Sequence, residues 1–327
     1  MSWHEEPLLG FDLETTGINI ETARIVTAAC VDYKPGDNHD SLPDRARLWL
    51  SDVDGMPIPA EATAVHGVTT DQARANGRPA ADVANEIADV LAAALSTGIP
   101  VVAMNARYDF TILDRELRRH ELPTLRERLG GEATPGPVID PYVLDKQADK
   151  YRKGSRRLEN LAVHYGVTLA AAHTADADAL AAVEVAVAIG EKYPQLQVHP
   201  QQLHVWQVWW ARQQASELQA HLRRMDPYAA VDAEWPLVEL TEERKLRATL
   251  TDLVERWTRM SAAGPDFGDE LVIDEPSPVE LQQHERAAAY RRAASDIRDV
   301  LRTGRIPHGL MTDAELKQYG APEEAAS

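Results

Sequence analysis

Apolar residues recur with two periods along the first part of the chain, and these periods predict its secondary structure. Continuous or alternating apolar runs predict strands at 8–14, 23–33, 45–51, 100–104 and 138–140. Apolar residues at a spacing of three or four predict helices at 79–96, 108–119, 142–149, 158–165 and 175–192. Three consecutive strands followed by alternating helices and strands favour an α/β fold, in which helices flank a mixed five-stranded sheet. Proline and glycine punctuate residues 52–68, which predicts a loop.

After Pro194 the pattern becomes helical, which predicts an all-α C-terminal extension. A Gln-rich helix at 200–224 carries Trp206, Trp209 and Trp210, which we expect to pack on the preceding domain. Amphipathic helices are predicted at 241–262 and 277–303. The predicted division is therefore a first domain at 1–194, a helical extension packed on it at 195–237, and a helical region of unknown role at 238–327.

The composition narrows the possible classes of function. A net charge of −18 argues against a protein that coats nucleic acid non-specifically. The single cysteine, Cys30, excludes an internal disulfide and fits the reducing cytoplasm. No apolar run approaches the length of a membrane span, and the first residues lack the pattern of a secretory signal, so we expect a cytoplasmic protein.

Two carboxylates lie at the end of the first predicted strand, in the sequence Phe-Asp-Leu-Glu-Thr-Thr-Gly at 11–17. Asp12 and Glu14 share one face of a strand, whereas Phe11 and Leu13 would point into a core. Two adjacent like charges repel unless a cation lies between them, and hard oxygen ligands suit Mg²⁺ or Mn²⁺. A solvated strand edge explains the same pair of residues equally well.

Further carboxylates stand at two predicted helix starts. Asp109 falls in the first turn of the helix after the strand at 100–104, where a role in helix capping is the alternative to a functional one. His173 is followed by Asp176 and Asp178 at the start of the helix at 175–192. Positions 176 and 178 lie about 200° apart on a helix, so only one of these two aspartates can face a given site.

These segments, in this order, resemble the motifs of the DEDDh family of 3′-to-5′ exonucleases. That family includes ribonuclease T and the proofreading epsilon subunit of bacterial replicative DNA polymerase. Its first motif matches 11–17, its second matches Asn105–Phe110, and its third is a histidine followed, after four residues, by an aspartate, which selects Asp178 over Asp176. The resemblance covers roughly residues 7–193 and implies a ribonuclease-H-like fold.

The resemblance implies a two-metal-ion phosphodiester hydrolase. Two divalent cations, Mg²⁺ or Mn²⁺, would be held by Asp12, Glu14, Asp109 and Asp178. His173 would take the proton from the attacking water. The implied reaction releases nucleoside 5′-monophosphates from the 3′ end of single-stranded DNA, during proofreading or repair.

The substrate contacts are predicted partly from the resemblance and partly from charge. The terminal nucleotide would meet Thr15, Thr16, Gly17, His66, Asn105 and Tyr108, with an ordinary loop position as the alternative for His66. A basic loop at 150–157 is a candidate phosphate-binding rim through Arg152, Lys153, Arg156 and Arg157, or else a solvated surface loop.

Two alternatives to a DNA exonuclease remain open at the level of the sequence. The same carboxylates would serve an exoribonuclease of this family, because the motifs do not read the sugar. The chain could also be an interaction subunit whose C-terminal helices tether it to a DNA polymerase. DNA is favoured over RNA as the substrate, and no membrane partner is expected.

Overall fold

The centre of the structure is one mixed sheet of five strands in the order β3-β2-β1-β4-β5. The strands are β1 (Leu8–Thr15), β2 (Ile25–Tyr33), β3 (Ala46–Leu50), β4 (Val101–Val102) and β5 (Val138–Ile139). β2 pairs antiparallel with both β1 and β3, whereas β1–β4 and β4–β5 are parallel pairs. The mixed five-stranded sheet predicted from the sequence is confirmed, and β1 lies at its middle.

The structure is a computed structural model that describes residues 2–36, 45–130, 135–169 and 174–240. Its helices are α1 (Ala60–His66), α2 (Thr70–Asn76), α3 (Ala80–Ser96), α4 (Ala106–Arg119), α5 (Leu125–Arg128), α6 (Pro141–Ala148), α7 (Leu158–Tyr165), α8 (Ala175–Lys192) and α9 (Pro200–Leu222). Short 3₁₀ turns lie at Trp3–Glu5, Val53–Gly55 and Pro194–Leu196. None of the helices among these residues is long and apolar enough to cross a membrane.

The alternation of side chains along β1 explains how the helices cover the sheet. Phe11 is fully buried on one face, where its ring meets that of Phe110 of α4 edge-on, with centroids 5.7 Å apart. Gly10 lies on the other face, against α8, where an added Cβ would come within 2.7 Å of the carbonyl oxygen of Ala179. The glycine therefore lets the backbones of β1 and α8 approach closely.

Helix α9 covers the outer edge of the sheet with side chains. β5 is an edge strand, and its outward backbone groups need partners. Val138 N donates to His204 Nδ1 at 3.2 Å, Gln207 Nε2 donates to Val138 O at 3.0 Å, and Asp140 N donates to Gln207 Oε1 at 2.8 Å. Side chains from the extension predicted at 195–237 thus satisfy the backbone groups at this edge of the sheet.

The prediction of a loop at 52–68 is wrong in part, because α1 occupies residues 60–66. Pro59 stands at its N-cap, and Gly67, with φ of 77°, ends it in the left-handed conformation. The residues read as loop punctuation are therefore the start and stop signals of a two-turn helix. α2 and α5 were also missed, although each begins with a Thr-x-x-Gln or Thr-x-x-Glu capping box, at Thr69 and Thr124.

The chain divides into two compact units. The first comprises Met1–Gly130 and Thr134–Val238, and the second comprises Gly131–Ala133 and Glu239–Ser327. The second unit lies almost wholly outside the described residues, as do the helices predicted at 241–262 and 277–303.

Candidate metal centre and substrate site

Three carboxylates from β1 and α8 meet beside the middle of the sheet. Asp12 and Glu14 leave the same face of β1, and Asp178 lies in the first turns of α8. One carboxylate oxygen from each lies within 4.8 Å of the other two. The close backbone approach at Gly10 contributes to this meeting, because it brings β1 against α8 at Ala179, the residue after Asp178.

Asp109, from helix α4, lies next to this group. It lies in the first turn of α4, its side chain is buried, and its Oδ1 accepts a hydrogen bond from Leu13 N at 3.1 Å. Leu13 stands between Asp12 and Glu14 in β1, so this bond fixes Asp109 to the strand that carries the other two carboxylates.

The electrostatics of the group favour the binding of a cation. Burial is the main reason that the pKa of Asp12 lies well above its usual value, and the carboxylates of Asp109, Asp178 and Glu14 raise it further. Burial and then Asp178 raise the pKa of Glu14 to about 7. Burial also raises the pKa of Asp109, against the opposing hydrogen bonds from its own backbone and from Leu13.

This donor set fits divalent metal ions. Carboxylate oxygens are the ligands that Mg²⁺ and Mn²⁺ prefer, and a cation among them would replace the mutual repulsion with attraction. Asp178 belongs to the group of three and Asp176 does not, which agrees with the choice made from the motif spacing. His173 lies outside the described residues.

The turn after β1 is held rigidly by α4 and β2. The hydroxyl of Tyr108 donates to Gly17 O and lies next to Thr15 Oγ1, both at 2.5 Å. Thr16 and Arg24 exchange two hydrogen bonds, Thr16 N to Arg24 O at 3.0 Å and Arg24 N to Thr16 Oγ1 at 2.9 Å. Tyr108 therefore shapes the turn predicted to receive the terminal nucleotide, whereas Phe110 belongs to the core.

His66, at the end of α1, directs its ring toward this turn. Its Nδ1 accepts a hydrogen bond from Val68 N at 3.2 Å, which leaves the proton of the neutral ring on Nε2. Nε2 is buried and has no partner among the described residues. Burial lowers the pKa of His66, and the backbone of Thr15 partly opposes that shift. The ring of His66 therefore packs against the backbone of the turn at Thr15, next to the residues predicted to receive the terminal nucleotide.

A model of the exonuclease family RNase T matches residues 9–186, which is more than half of the chain. The chain belongs to this exonuclease family. The DNA polymerase III subunit epsilon of Treponema pallidum (strain Nichols) is 26% identical over 176 residues, which cover 54% of this chain and 72% of that protein. The resemblance inferred from the motifs is thereby confirmed.

The structure is also similar to solved structures of exonuclease I from E. coli. Its complex with a dT13 oligonucleotide is 19% identical, with a TM-score of 0.47, over 58% of this chain and 42% of that one. A zinc-bound form in complex with single-stranded DNA is 20% identical, with a TM-score of 0.48 and the same coverage. The chain thus spans less than half the length of exonuclease I.

Arg152 and Arg156, which the sequence predicts as part of a phosphate-binding rim, are both paired with a buried carboxylate of this exonuclease domain. Arg152 Nε lies 3.1 Å from Asp145 Oδ1, and Arg156 Nε lies 2.7 Å from Asp145 Oδ2. Asp145 is fully buried and also accepts a hydrogen bond from the hydroxyl of Tyr165 at 2.8 Å. Because a buried carboxylate needs its counter-charges, these guanidinium groups close the loop onto α6.

Lys153 and Arg157 differ from these arginines, because both side chains are exposed. They are the members of the predicted rim that remain open to solvent. Asn105, also predicted to meet the substrate, is exposed and adopts the left-handed conformation, with φ of 57°.

A second group of potential ligands within the described residues is occupied by an arginine. Asp54, Glu116 and His120 bring ligand atoms within 4.8 Å of one another. The guanidinium of Arg24 lies among them, with Nη2 2.5 Å from both Asp54 Oδ2 and Glu116 Oε1. This group is therefore an ion-pair network, and it ties the turn at 53–55 to α4.

We expect Glu14→Gln to stabilise the metal-free exonuclease at alkaline pH. The pKa of Glu14, about 7 against an ordinary 4.5, means that the folded protein holds this proton more tightly than the unfolded chain. The associated stabilisation is complete below about pH 4.5 and is lost as the pH rises through about 7. In EDTA, the melting temperature of the wild type should therefore fall more steeply across this range than that of the variant.

The control for this measurement is Glu61→Gln, which removes an exposed carboxylate from the first turn of α1. It should follow the wild type at every pH. Excess Mg²⁺ should raise the melting temperature of the wild type above that of Glu14→Gln at alkaline pH, because the cation stabilises only the intact set of carboxylates. If the melting temperatures of Glu14→Gln and wild type in EDTA depend on pH in the same way, the electrostatic account is contradicted.

Arg156→Ala should destabilise the protein, whereas Arg157→Ala should not. Removal of one partner from a buried ion pair costs about 3–5 kcal/mol, and Arg156 would leave the buried Asp145 with one guanidinium fewer. An exposed substitution such as Arg157→Ala should change the free energy of unfolding by less than about 0.5 kcal/mol. Urea unfolding measures the free energy of unfolding of both variants. Equal losses in Arg156→Ala and Arg157→Ala would show that the pair of Arg156 with Asp145 does not stabilise the fold.

Proposed function

We propose that this protein is a divalent-cation-dependent 3′-to-5′ exonuclease that acts on single-stranded DNA. The observation that carries the proposal is the group of Asp12, Glu14 and Asp178 oxygens within 4.8 Å, in a domain of the exonuclease family. The buried Asp109, bonded to the same strand, completes a set of four carboxylates.

The four carboxylates would hold two cations, Mg²⁺ or Mn²⁺. Asp12, Glu14 and Asp178 would serve the site on the side of the attacking water, with Asp12 shared, and Asp109 would serve the other. Bound divalent cations supply Lewis acidity, which makes water a better nucleophile and neutralises charge on the phosphate. The raised pKa values of Asp12 and Glu14 fit this arrangement, because a pocket built for cations is costly for carboxylates alone.

His173 would act as the general base. An imidazole with an ordinary pKa near 6.5 accepts a proton at neutral pH. It would take the proton from the attacking water as the new P–O bond forms and the bond to the 3′ oxygen of the preceding nucleotide breaks, and that oxygen would take up a proton from solvent. The product would be a nucleoside 5′-monophosphate, and the shortened strand would keep a free 3′ hydroxyl.

The terminal nucleotide would rest against the rigid turn at Thr15–Gly17. His66, whose ring lies against the backbone of Thr15, would border the site of the terminal nucleotide. Asn105 and Tyr108 would border the same pocket from the start of α4, and the exposed Lys153 and Arg157 would meet phosphates further along the strand.

The preference for DNA and for a polymerase partner rests on similar proteins. One relative is a DNA polymerase III subunit, and exonuclease I has been seen with single-stranded DNA. An association with a DNA polymerase, a role in replication or repair, and a cytoplasmic location remain proposals for this protein. So does the division of the chain at 194 and 237.

The direct test is a digest of oligonucleotides labelled at the 5′ or the 3′ end. With Mg²⁺ or Mn²⁺, a 5′ label should yield a ladder of shortened strands and a 3′ label should yield mononucleotide at once. EDTA should abolish both, and Asp12→Asn should lower the rate by at least about a hundredfold. Cleavage from the 5′ end, or full activity in EDTA, would contradict the proposal. Faster digestion of RNA in a mixture with DNA would instead identify an exoribonuclease.

His173→Ala should fold as the wild type does and bind Mn²⁺ with similar affinity, yet lose about two to four orders of magnitude in kcat. The exposed His199, at the start of α9, provides the matched control, and His199→Ala should keep full activity. A fully active His173→Ala enzyme would exclude this residue as the base.

A further inference from the structure

The helix that presents Asp109 begins without a side-chain cap of its own. Asn105 occupies the N-cap of α4 in the left-handed conformation, and its side chain makes no capping hydrogen bond with the described residues. The carboxylate of Asp140 performs this task from the end of β5. Its oxygens accept hydrogen bonds from Asn105 N at 2.9 Å and Ala106 N at 3.1 Å. Asp140 therefore fixes the start of the turn of α4 that contains Asp109.

Asp140 is in turn held by the C-terminal extension. Its carboxylate is buried, and Oδ2 accepts a hydrogen bond from Trp235 Nε1 at 3.1 Å. Its backbone N–H donates to Gln207 Oε1 at 2.8 Å, and the indole of Trp235 packs on the ring of His204 with centroids 5.3 Å apart. The backbone and the carboxylate of Asp140 thus both depend on residues beyond 186, where the match to the family model stops.

The segment 232–238, which we term the strap, also binds α4 directly. Arg107 Nη1 donates to Asp232 O at 2.8 Å, and Val238 N donates to Thr111 Oγ1 at 3.1 Å. These contacts fall two residues before and two residues after Asp109. Trp235 and Val238 are both buried, so the strap is a packed part of the first unit.

We propose that the strap is a positioning element of the metal centre, in which Trp235 orients Asp140 and thereby the turn of α4 that presents Asp109. The inference rests on the proposed function in one respect, namely that Asp109 binds a cation. Trp235 would act through Asp140, and it would touch neither the cation nor the nucleic acid. Small displacements of a ligand matter, because a catalytic group misplaced by about 1 Å can cost about a hundredfold in rate.

The test compares Trp235→Phe with Trp3→Phe. Each substitution keeps an aromatic ring in a buried position and removes one indole N–H, since Trp3 Nε1 donates to Leu196 O at 2.8 Å. A loss of packing or of a buried hydrogen bond affects both variants alike, but only Trp235 bonds to Asp140. The readouts are the Mn²⁺ dissociation constant of the full chain, followed by the spin resonance of free Mn²⁺, and the kcat and half-saturating Mg²⁺ concentration of the digest.

Trp235→Phe should weaken Mn²⁺ binding by about three- to tenfold and lower kcat by a similar factor, at temperatures well below its melting point. Trp3→Phe should match the wild type in both. Equal Mn²⁺ constants in the two variants would overturn the inference, whether or not the protein digests DNA. A wild type that binds Mn²⁺ tightly but has no nuclease activity would sink the proposed function instead.

Thr111→Val gives a second test should Trp235→Phe fail to fold. The substitution conserves volume and removes the oxygen that receives Val238 N, so the strap loses one anchor on α4. It should weaken Mn²⁺ binding in the same direction, by about two- to threefold. An unchanged constant in a folded Thr111→Val protein would overturn the inference as well.

Discussion

The repulsion among Asp12, Glu14, Asp109 and Asp178 is the constraint on which the rest of this structure depends. Burial and mutual repulsion raise the pKa values of Asp12 and Glu14, so the folded chain holds these carboxylates together at a cost in free energy. Only strong packing elsewhere can keep them in place without a cation. The close approach of β1 to α8 at Gly10 and the bond from Leu13 N to Asp109 are two such devices.

Around this centre, buried ion pairs and caps connect each functional segment to the core. Arg24 joins the turn at Thr16 to Glu116 of α4 and to Asp54, in the turn that precedes α1 and His66. Asp145 gathers Arg152 and Arg156, and so anchors the basic loop to α6. Asp140 links β5, α4, α6 and the strap. In each case a buried charged side chain has several ionic or hydrogen-bonding partners, which fixes the geometry of the segments that it joins.

Local patterns in the sequence predicted the five-stranded sheet and the principal helices, because amphipathic periods report directly on burial. The resemblance to the exonuclease family, rather than local pattern alone, singled out Asp12, Glu14, Asp109 and Asp178, which lie at the end of β1 and at the starts of α4 and α8. The partners of Arg152 and Arg156 escaped prediction because a basic run does not reveal which buried carboxylate it meets. Asp140 and Trp235 lie 95 residues apart, and no local pattern connects them. α1 was missed because proline and glycine serve both loops and helix ends.

The most direct test of the central claim is a crystal structure grown with Mn²⁺ and measured at a wavelength where manganese scatters anomalously. The account predicts anomalous peaks among the carboxylate oxygens of Asp12, Glu14 and Asp178 and next to Asp109, and their absence from an Asp12→Asn crystal. It also predicts none among Asp54, Glu116 and His120, where Arg24 already supplies the positive charge. An empty carboxylate group at saturating Mn²⁺, or manganese bound only at the second group, would contradict it.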